Sequence, residues 1–150
     1  MLSIFNEAIV NSTALYDYKP RTEEMMQAWF AAKAKGNFPV IGVENEDGEL
    51  MGFASYGTFR GYSGYRHTVE HSVYVRGDAC GQGIGTALLV RLEERARAQG
   101  LHVMIGALEA GNAASLGLHA AQGFAETGRM PEVGRKFGRW LTLVLVQKIL

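Results

Sequence analysis

One stretch of the sequence has the residue types of an anion-binding turn. An apolar segment at 73–75 leads into glycines at positions 81, 83 and 85, and an amphipathic segment starts within the same turn. Glycine lets backbone N–H groups approach a ligand closely, and the first turn of a helix adds unpaired donors at the positive end of its dipole. The pattern predicts a site for a phosphate-bearing ligand. The residues that would form it are Gly81, Gln82, Gly83, Ile84, Gly85 and Thr86.

Two common phosphate loops do not match this turn. A nucleoside triphosphate loop ends in Gly-Lys-Ser/Thr, whereas Gly85-Thr86 has no lysine between its residues. The dinucleotide pattern G-x-G-x-x-G needs a glycine where Thr86 or Leu88 stands, and the acidic residue expected later is not evident. A tight turn with a purely structural role stays open as an alternative.

The elements that would position the turn follow from hydrophobic spacing and from turn residues. Helices are predicted at 2–11, 22–35, 83–99 and 112–122, and strands at 40–44, 50–59, 68–76, 103–108, 124–129 and 140–149. The segment at 103–108 is apolar throughout, which is typical of an interior strand. We therefore expect a mixed, mostly antiparallel sheet flanked by helices in one domain, 1–150.

The composition narrows the functional classes. Lys plus Arg and Asp plus Glu are 15 each, so the formal net charge is zero, which argues against a nucleic-acid surface. No apolar run is long enough for a membrane span, and the first residues lack the features of a signal peptide. A single cysteine excludes an internal disulfide framework or a multi-cysteine metal site. We expect a cytoplasmic protein with no metal.

Taken together, three motifs resemble the GNAT superfamily of N-acetyltransferases. The glycine turn is similar to the family's pyrophosphate loop, usually Arg/Gln-x-x-Gly-x-Gly/Ala, and the segment 112–119 and the pair Gly123-Phe124 follow at the family's spacing. More narrowly, 68–75 (TVEHSVYV) and 137–145 (FGRWLTLVL) resemble the phosphinothricin and methionine sulfoximine/sulfone acetyltransferase branch. The resemblance covers nearly the whole chain. It implies a GNAT-like α+β fold and acetyl-CoA as co-substrate.

The resemblance also assigns the donor side of the site. The pantetheine arm of acetyl-CoA would lie along the backbone of Val73, Tyr74 and Val75, and a backbone N–H there would polarise the acetyl carbonyl. Ordinary core packing of the two valines is compatible with this role. Asn112 resembles the family's cofactor-contacting asparagine, with Ser115 in the same motif, although Asn112 is equally suited to cap a helix.

Two side chains are candidates for proton transfer. The resemblance places the general base at Glu70, on the strand that leads into the turn; the alternative is a glutamate on a solvent face. His119 stands where many family members have a tyrosine general acid, and it would protonate the leaving thiolate or contact the cofactor. A structural role for this histidine is the alternative. Cys80 is not expected to be a nucleophile, because direct transfer to an amine needs no acyl-cysteine.

The acceptor would bind beside Glu70. Branch members acetylate the α-amine of small amino-acid-like acceptors with a tetrahedral head, such as phosphinothricin, methionine sulfoximine and methionine sulfone. The residues expected to contact the acceptor are Arg60, Gly61, Tyr62, Glu70, His71 and Ser72. An arginine there would bind a carboxylate in bidentate fashion. Acetylation of a protein or peptide, or a non-catalytic acyl-CoA-binding module, are the alternative functions.

The chain departs from the family pattern at two places. Cys80 occupies the first loop position, so phosphate binding would depend mainly on backbone amides. No strand is predicted before the first helix, so we expect the N-terminal edge strand of the family's sheet to be missing. The apolar strand 140–149 predicts cover on both faces, some of it from a second subunit, and the branch resemblance also implies a homodimer.

Overall fold

The computed structural model describes residues 1–150. Its helices and strands, in chain order, are α1 (Leu2–Asn11), α2 (Glu23–Lys35), β1 (Val40–Glu44), β2 (Leu50–Thr58), β3 (Thr68–Val75), α3 (Ile84–Ala98), β4 (Val103–Glu109), α4 (Ala113–Ala121), β5 (Ala125–Lys136) and β6 (Arg139–Ile149). All the predicted elements are present, and apart from β5 their ends lie within one residue of the prediction. No strand precedes α1. None of the helices is long and apolar enough to cross a membrane.

β5 is longer than the sequence indicates. It was predicted to end at Arg129, but it continues to Lys136. The added part contains Pro131 and Gly134, which normally argue against a strand. The strand tolerates them because its pairing with β6 breaks between Met130 and Gly134 and resumes at Gly134. Glu132 adopts a positive φ of 55° within this irregular stretch.

The six strands form one mixed sheet in the order β1-β2-β3-β4-β6-β5. Only β3 and β4 are parallel, and the other four pairs are antiparallel, which confirms the predicted sheet. β4 lies between β3 and β6, so the prediction of an interior position for this apolar segment is also confirmed.

Helices cover the sheet on both sides. On one side, α3 buries Leu88, Leu89, Leu92 and Ala96 completely against the sheet, and each leucine contributes about 1.5–3 kcal/mol through burial. On the other side, Phe5 of α1 and Met26 of α2 pack against Phe53 in a smaller core.

Successive side chains of a strand point to opposite faces, so these two cores fix the orientation of β3. Tyr74 contacts the Phe5 ring on the α1 side, with 4.7 Å between ring centroids. Glu70 and Ser72 share that face, because they lie four and two residues before Tyr74. Val69 and His71 point to the α3 side, where Val69 is buried in the larger core.

Candidate active site

The parallel strands β3 and β4 separate part-way along their length. They pair from Thr68 opposite Val103 to His71 opposite Gly106, and no further. β3 nevertheless continues to Val75 and β4 to Glu109. Backbone groups on the β4-facing edge of 72–75 therefore have no strand partner, and an extended ligand can pair with them.

A cavity of about 610 Å³ occupies this gap. Its walls come from the separated strand ends, the glycine turn, and one side each of α1 and α4. Of the residues predicted to bind the cofactor, it brings together Val73, Tyr74, Val75, Gly81, Gly83, Ile84, Gly85, Thr86, Asn112 and Ser115. Gln82 does not line the cavity; its side-chain amide lies 3.4 Å from the carbonyl oxygen of Asp78.

The glycine turn is shaped to expose backbone donors. Gly81 and Gly83 have φ values of 79° and 80°, a left-handed conformation that favours glycine. No atom lies within 4 Å of where a Cβ of either residue would be, so the space over the turn is open. Gly83 caps α3 without a side-chain hydrogen bond, which leaves the first N–H groups of the helix for a ligand. The turn therefore fits a pyrophosphate.

The side chains around this turn bring no free cation to it. Cys80 is exposed, and its thiol lies 3.6 Å from the carbonyl oxygen of Arg76. The Arg76 guanidinium is bound to Asp78 at 2.6 Å and lies 3.6 Å from Glu49. The donors that the turn itself offers to an anion are therefore mainly backbone amides.

Asn112 caps a helix, which is one of the two roles that its sequence position predicts. Its Oδ1 accepts a hydrogen bond from the Ser115 backbone N–H at 3.0 Å and caps α4. Because the same residue lines the cavity, this cap also fixes one of its walls.

Glu70 lies on the α1 face of β3, between Gly57 of β2 and Ile105 of β4. Its side chain is exposed and is not part of the cavity wall, which on this face of β3 begins at Ser72, two residues further along the strand. Neighbouring protein atoms remove part of the water around the Glu70 carboxyl group, which raises its pKa. The positive charge of Arg60 partly opposes this shift. A carboxylate with a raised pKa is a better proton acceptor than an ordinary surface glutamate.

Arg60, Gly61 and Tyr62 are placed differently from the other predicted acceptor residues. They line a second cavity of about 660 Å³, together with Phe38 and Arg66. Arg60 acts on the charge of Glu70, but the structure does not bring the three residues into the wall of the main cavity. Tyr62 is 78% exposed.

His71 and His119 form a buried pair on the α3 face. Their Nε2 atoms lie 2.8 Å apart. The Nδ1 of His71 lies 2.8 Å from the carbonyl oxygen of Ile105, and the Nδ1 of His119 lies 2.7 Å from that of Ser115. Burial lowers the pKa of both rings, that of His71 to about 3 with a contribution from His119.

This pair changes two expectations. His71 lines the cavity, but the residue is only 6% exposed, its ring lies on the opposite face of β3 from Glu70, and both ring nitrogens are engaged, which disfavours the predicted contact with the acceptor. His119 lines the inner part of the cavity, as an acid would, but both of its nitrogens contact protein atoms.

Some residues of the cavity wall are not indicated by any sequence pattern. Glu7, Ala8 and Asn11 of α1 line the cavity, because the helix packs across the open ends of the strands. Glu109, at the end of β4, is 9% exposed and accepts a hydrogen bond from the Thr13 hydroxyl at 3.1 Å. Helical spacing identifies the buried side of α1 but not the side that faces a ligand.

The comparison with known families agrees with this geometry. Residues 6–124 match the model of the acetyltransferase (GNAT) family. The chain belongs to the GNAT family. It is an acetyl-CoA-dependent N-acetyltransferase.

Individual relatives are similar over almost the whole chain. An L-methionine sulfoximine/L-methionine sulfone acetyltransferase of Pseudomonas aeruginosa is 52% identical over 98% of this chain and 86% of its own. The solved phosphinothricin acetyltransferase of Sinorhizobium meliloti, in complex with acetyl-CoA, is 35% identical over 99% of this chain and 80% of its own, with a TM-score of 0.96. A structure named ribosomal-protein-alanine N-acetyltransferase, from Brucella melitensis, is 47% identical over 99% and 91%, with a TM-score of 0.96.

Proposed function

We propose that this enzyme acetylates the α-amine of a free amino acid with a tetrahedral side-chain head, such as methionine sulfoximine, methionine sulfone or phosphinothricin. The observation that carries the proposal is the 52% identity, over 98% of the chain, to an acetyltransferase named for the first two compounds. The phosphinothricin acetyltransferase of Sinorhizobium meliloti supports the same acceptor class.

The donor would lie in the gap between β3 and β4. The backbone of Val73, Tyr74 and Val75 would hold the pantetheine arm, and the turn from Gly81 to Thr86 would hold the pyrophosphate. Bound there, acetyl-CoA supplies the activated acetyl group. A backbone N–H of β3 at the start of the gap would donate to the acetyl carbonyl oxygen and polarise it.

Glu70 would be the general base. It lies on the same face as Ser72, beside the inner end of the gap, where the acetyl group of an extended donor would be. The acceptor arrives as an ammonium ion, so a proton must leave before nitrogen can attack. The raised pKa of Glu70 makes its carboxylate a better acceptor for this proton. Transfer is direct, and no acyl-cysteine is formed on Cys80.

Ser72 and Arg60 would contact the acceptor. The positive charge of Arg60 lowers the pKa of Glu70, and the same charge would attract a carboxylate held beside that residue. With Tyr62 exposed in the same segment, movement of this loop towards Glu70 would close the acceptor site. His119 would serve as the acid for the departing thiolate.

The assembly we propose is a homodimer, and the location cytoplasmic. The hairpin of β5 and β6 exposes Val133, Phe137 and Trp140 by 55%, 59% and 60%, an apolar surface that a second copy would cover. Sedimentation of the purified chain tests the dimer. Trp140→Glu, with Met25→Glu at an exposed apolar residue of α2 as control, is expected to yield monomers only for the first. The single free cysteine is exposed, which suits a reducing compartment.

The test of the acceptor is thiol release from acetyl-CoA with a panel of free amino acids. Release should depend on methionine sulfoximine or methionine sulfone and should be far slower with methionine, which lacks the tetrahedral head. Absence of release with every amino acid of the panel would contradict the proposal. Binding of acetyl-CoA in calorimetry without turnover would then favour a non-catalytic module.

A second candidate is acetylation of a protein N-terminus. It is favoured by the 47% identity to the Brucella melitensis structure named for ribosomal-protein alanine. A peptide that begins with alanine, placed in the same assay, distinguishes the two. The amino-acid proposal requires at least a tenfold lower kcat/KM for the peptide than for methionine sulfoximine.

A further inference from the structure

The His71–His119 pair has fewer ring protons than its contacts require. Four ring nitrogens make three short contacts, two to carbonyl oxygens and one between the Nε2 atoms. A carbonyl oxygen only accepts, so each Nδ1 must carry a hydrogen. Each neutral ring has one nitrogen-bound hydrogen, and in both rings that hydrogen would be on Nδ1. The two Nε2 lone pairs would face each other at 2.8 Å with no hydrogen between them.

A third proton resolves this arrangement. Placed between the Nε2 atoms, it completes all three hydrogen bonds and gives the pair one positive charge. Charge-assisted hydrogen bonds of this kind are about twice as strong as neutral ones. A fourth proton would instead put two donors face to face and two charges side by side. Burial, and to a lesser extent the neighbouring His119, lower the pKa of His71 to about 3, so both oppose charge on this ring.

We propose that His71 and His119 act as one acid–base unit that binds a single third proton between their Nε2 atoms, with His71 as the positioning residue of His119. The proton count stands independently of the proposed function, whereas the role of the pair in acetyl transfer rests on it. In that role, the contact between the two Nε2 atoms opens, the Nε2–H bond of His119 breaks and an S–H bond forms on the departing thiolate of CoA. The pair keeps its two Nδ1 protons and regains the third from water.

The residues around the two rings neither repel a positive charge strongly nor form an ion pair with it. The Phe124 ring lies 5.3 Å from the His71 ring and 5.2 Å from the His119 ring, centroid to centroid. Behind Phe124, Lys148 of β6 is bound to Glu93 of α3 at 2.6 Å, so this pair is nearly neutral as a unit.

The remaining titratable groups on this side are directed elsewhere. Tyr56 of β2 is opposite His71 in the sheet, but its hydroxyl donates to Gln99. Arg97 of α3 contacts Glu93 at 3.5 Å, while Arg91 pairs with Glu94. Neither α4 nor β4 brings a carboxylate to the two rings, because Glu109 points to the opposite face. Burial therefore opposes the third proton, and the hydrogen bond between the Nε2 atoms favours it.

The experiment is a pH titration of the ring nitrogens by NMR, on the full ¹⁵N-labelled chain without substrate. The chain has four histidines, and the exposed His67 and His102 provide internal references. We expect His71 and His119 to change together at one midpoint, below the ordinary range of a histidine because the rings are buried, with the uptake of one proton. Separate midpoints, or no uptake while the protein stays folded, would overturn the proposal.

Two variants separate positioning from mere packing. His71→Asn keeps an amide donor near the position of Nδ1, where Ile105 needs one, but has no atom that reaches His119. His71→Gln puts an amide donor near the position of Nε2, so that His119 receives a hydrogen bond but no shared proton. Neither variant should retain the joint titration.

Activity provides the second readout. With His71→Gln, we expect kcat to fall at least tenfold at neutral pH while KM for acetyl-CoA changes less than twofold. Its pH profile should lose the limb that follows the midpoint of the pair. An unchanged kcat profile would refute the role in transfer while leaving the proton count standing. If the wild type has no turnover with any acceptor, the proposed function fails, and the NMR titration still decides the proton count.

Discussion

Because Gly106 has no side chain, the imidazole rings of His71 and His119 have room to contact each other beside it. An added methyl group at this position is expected to lower both the stability of the fold and the activity of the enzyme. A Cβ on this residue would lie 2.9 Å from Cε1 of His71, 3.0 Å from Cγ2 of Val146 and 3.4 Å from Nε2 of His119. Carbon atoms in contact prefer about 3.5–4.0 Å, so Gly106→Ala creates overlaps on two sides at once. Gly106 also forms the last paired position between β3 and β4, which limits how far the backbone can retreat.

The magnitude follows from overpacking of a close-packed interior. Such substitutions cost about 1–3 kcal/mol, which lowers the melting temperature of a domain of this size by roughly 2–12 °C. Urea denaturation with a full baseline measures the free-energy change. The rings move most easily, so activity should fall further than the loss of folded protein explains.

Gly117→Ala is the matched control. This glycine lies within α4, and no atom is within 4 Å of the position of its Cβ. Alanine is preferred there by about 0.5–1 kcal/mol, so the control should be slightly more stable than the wild type. If Gly106→Ala proves as stable and as active as the wild type, the packing of the histidine pair described above is wrong.

Three further predictions concern the rest of the site. Cys80→Arg should tighten acetyl-CoA binding severalfold in calorimetry, and the gain should vanish at high salt, whereas Cys80→Ser should change nothing. Arg60→Gln should raise the pKa of Glu70, so the acid limb of kcat/KM should move to higher pH; a move to lower pH would contradict the placement of the base. Asn112→Ala should cost about 1 kcal/mol in urea denaturation through loss of the α4 cap, and Asn112→Asp should restore it.

Local patterns in the sequence were sufficient for most of the fold. Helix spacing in α3 and the glycine signals at its ends defined that element to within one residue, because its buried and exposed faces are distinct. The second half of β5 could not be predicted, since Pro131 and Gly134 break the local pattern and only pairing with β6 keeps the strand together.

The site was predictable where motifs are contiguous and not where it depends on distant contacts. Apart from Gln82, the glycine turn lines one cavity together with residues 73–75. The contact between His71 and His119 joins residues 48 positions apart through side-chain orientation, which spacing does not reveal. The distance of the Arg60 segment from the cavity likewise depends on a loop with no regular pattern.

The central claim is that Glu70 serves acetyl transfer to an amino-acid amine. The most direct test is the rate of thiol release from acetyl-CoA with methionine sulfoximine, for the wild type and Glu70→Gln, with acetyl-CoA affinity measured alongside. We predict acceptor-dependent release by the wild type, a loss of about 10²–10⁴-fold in kcat for the variant, and unchanged acetyl-CoA binding. Equal turnover by the two proteins, or equal losses of turnover and binding, would contradict the assignment.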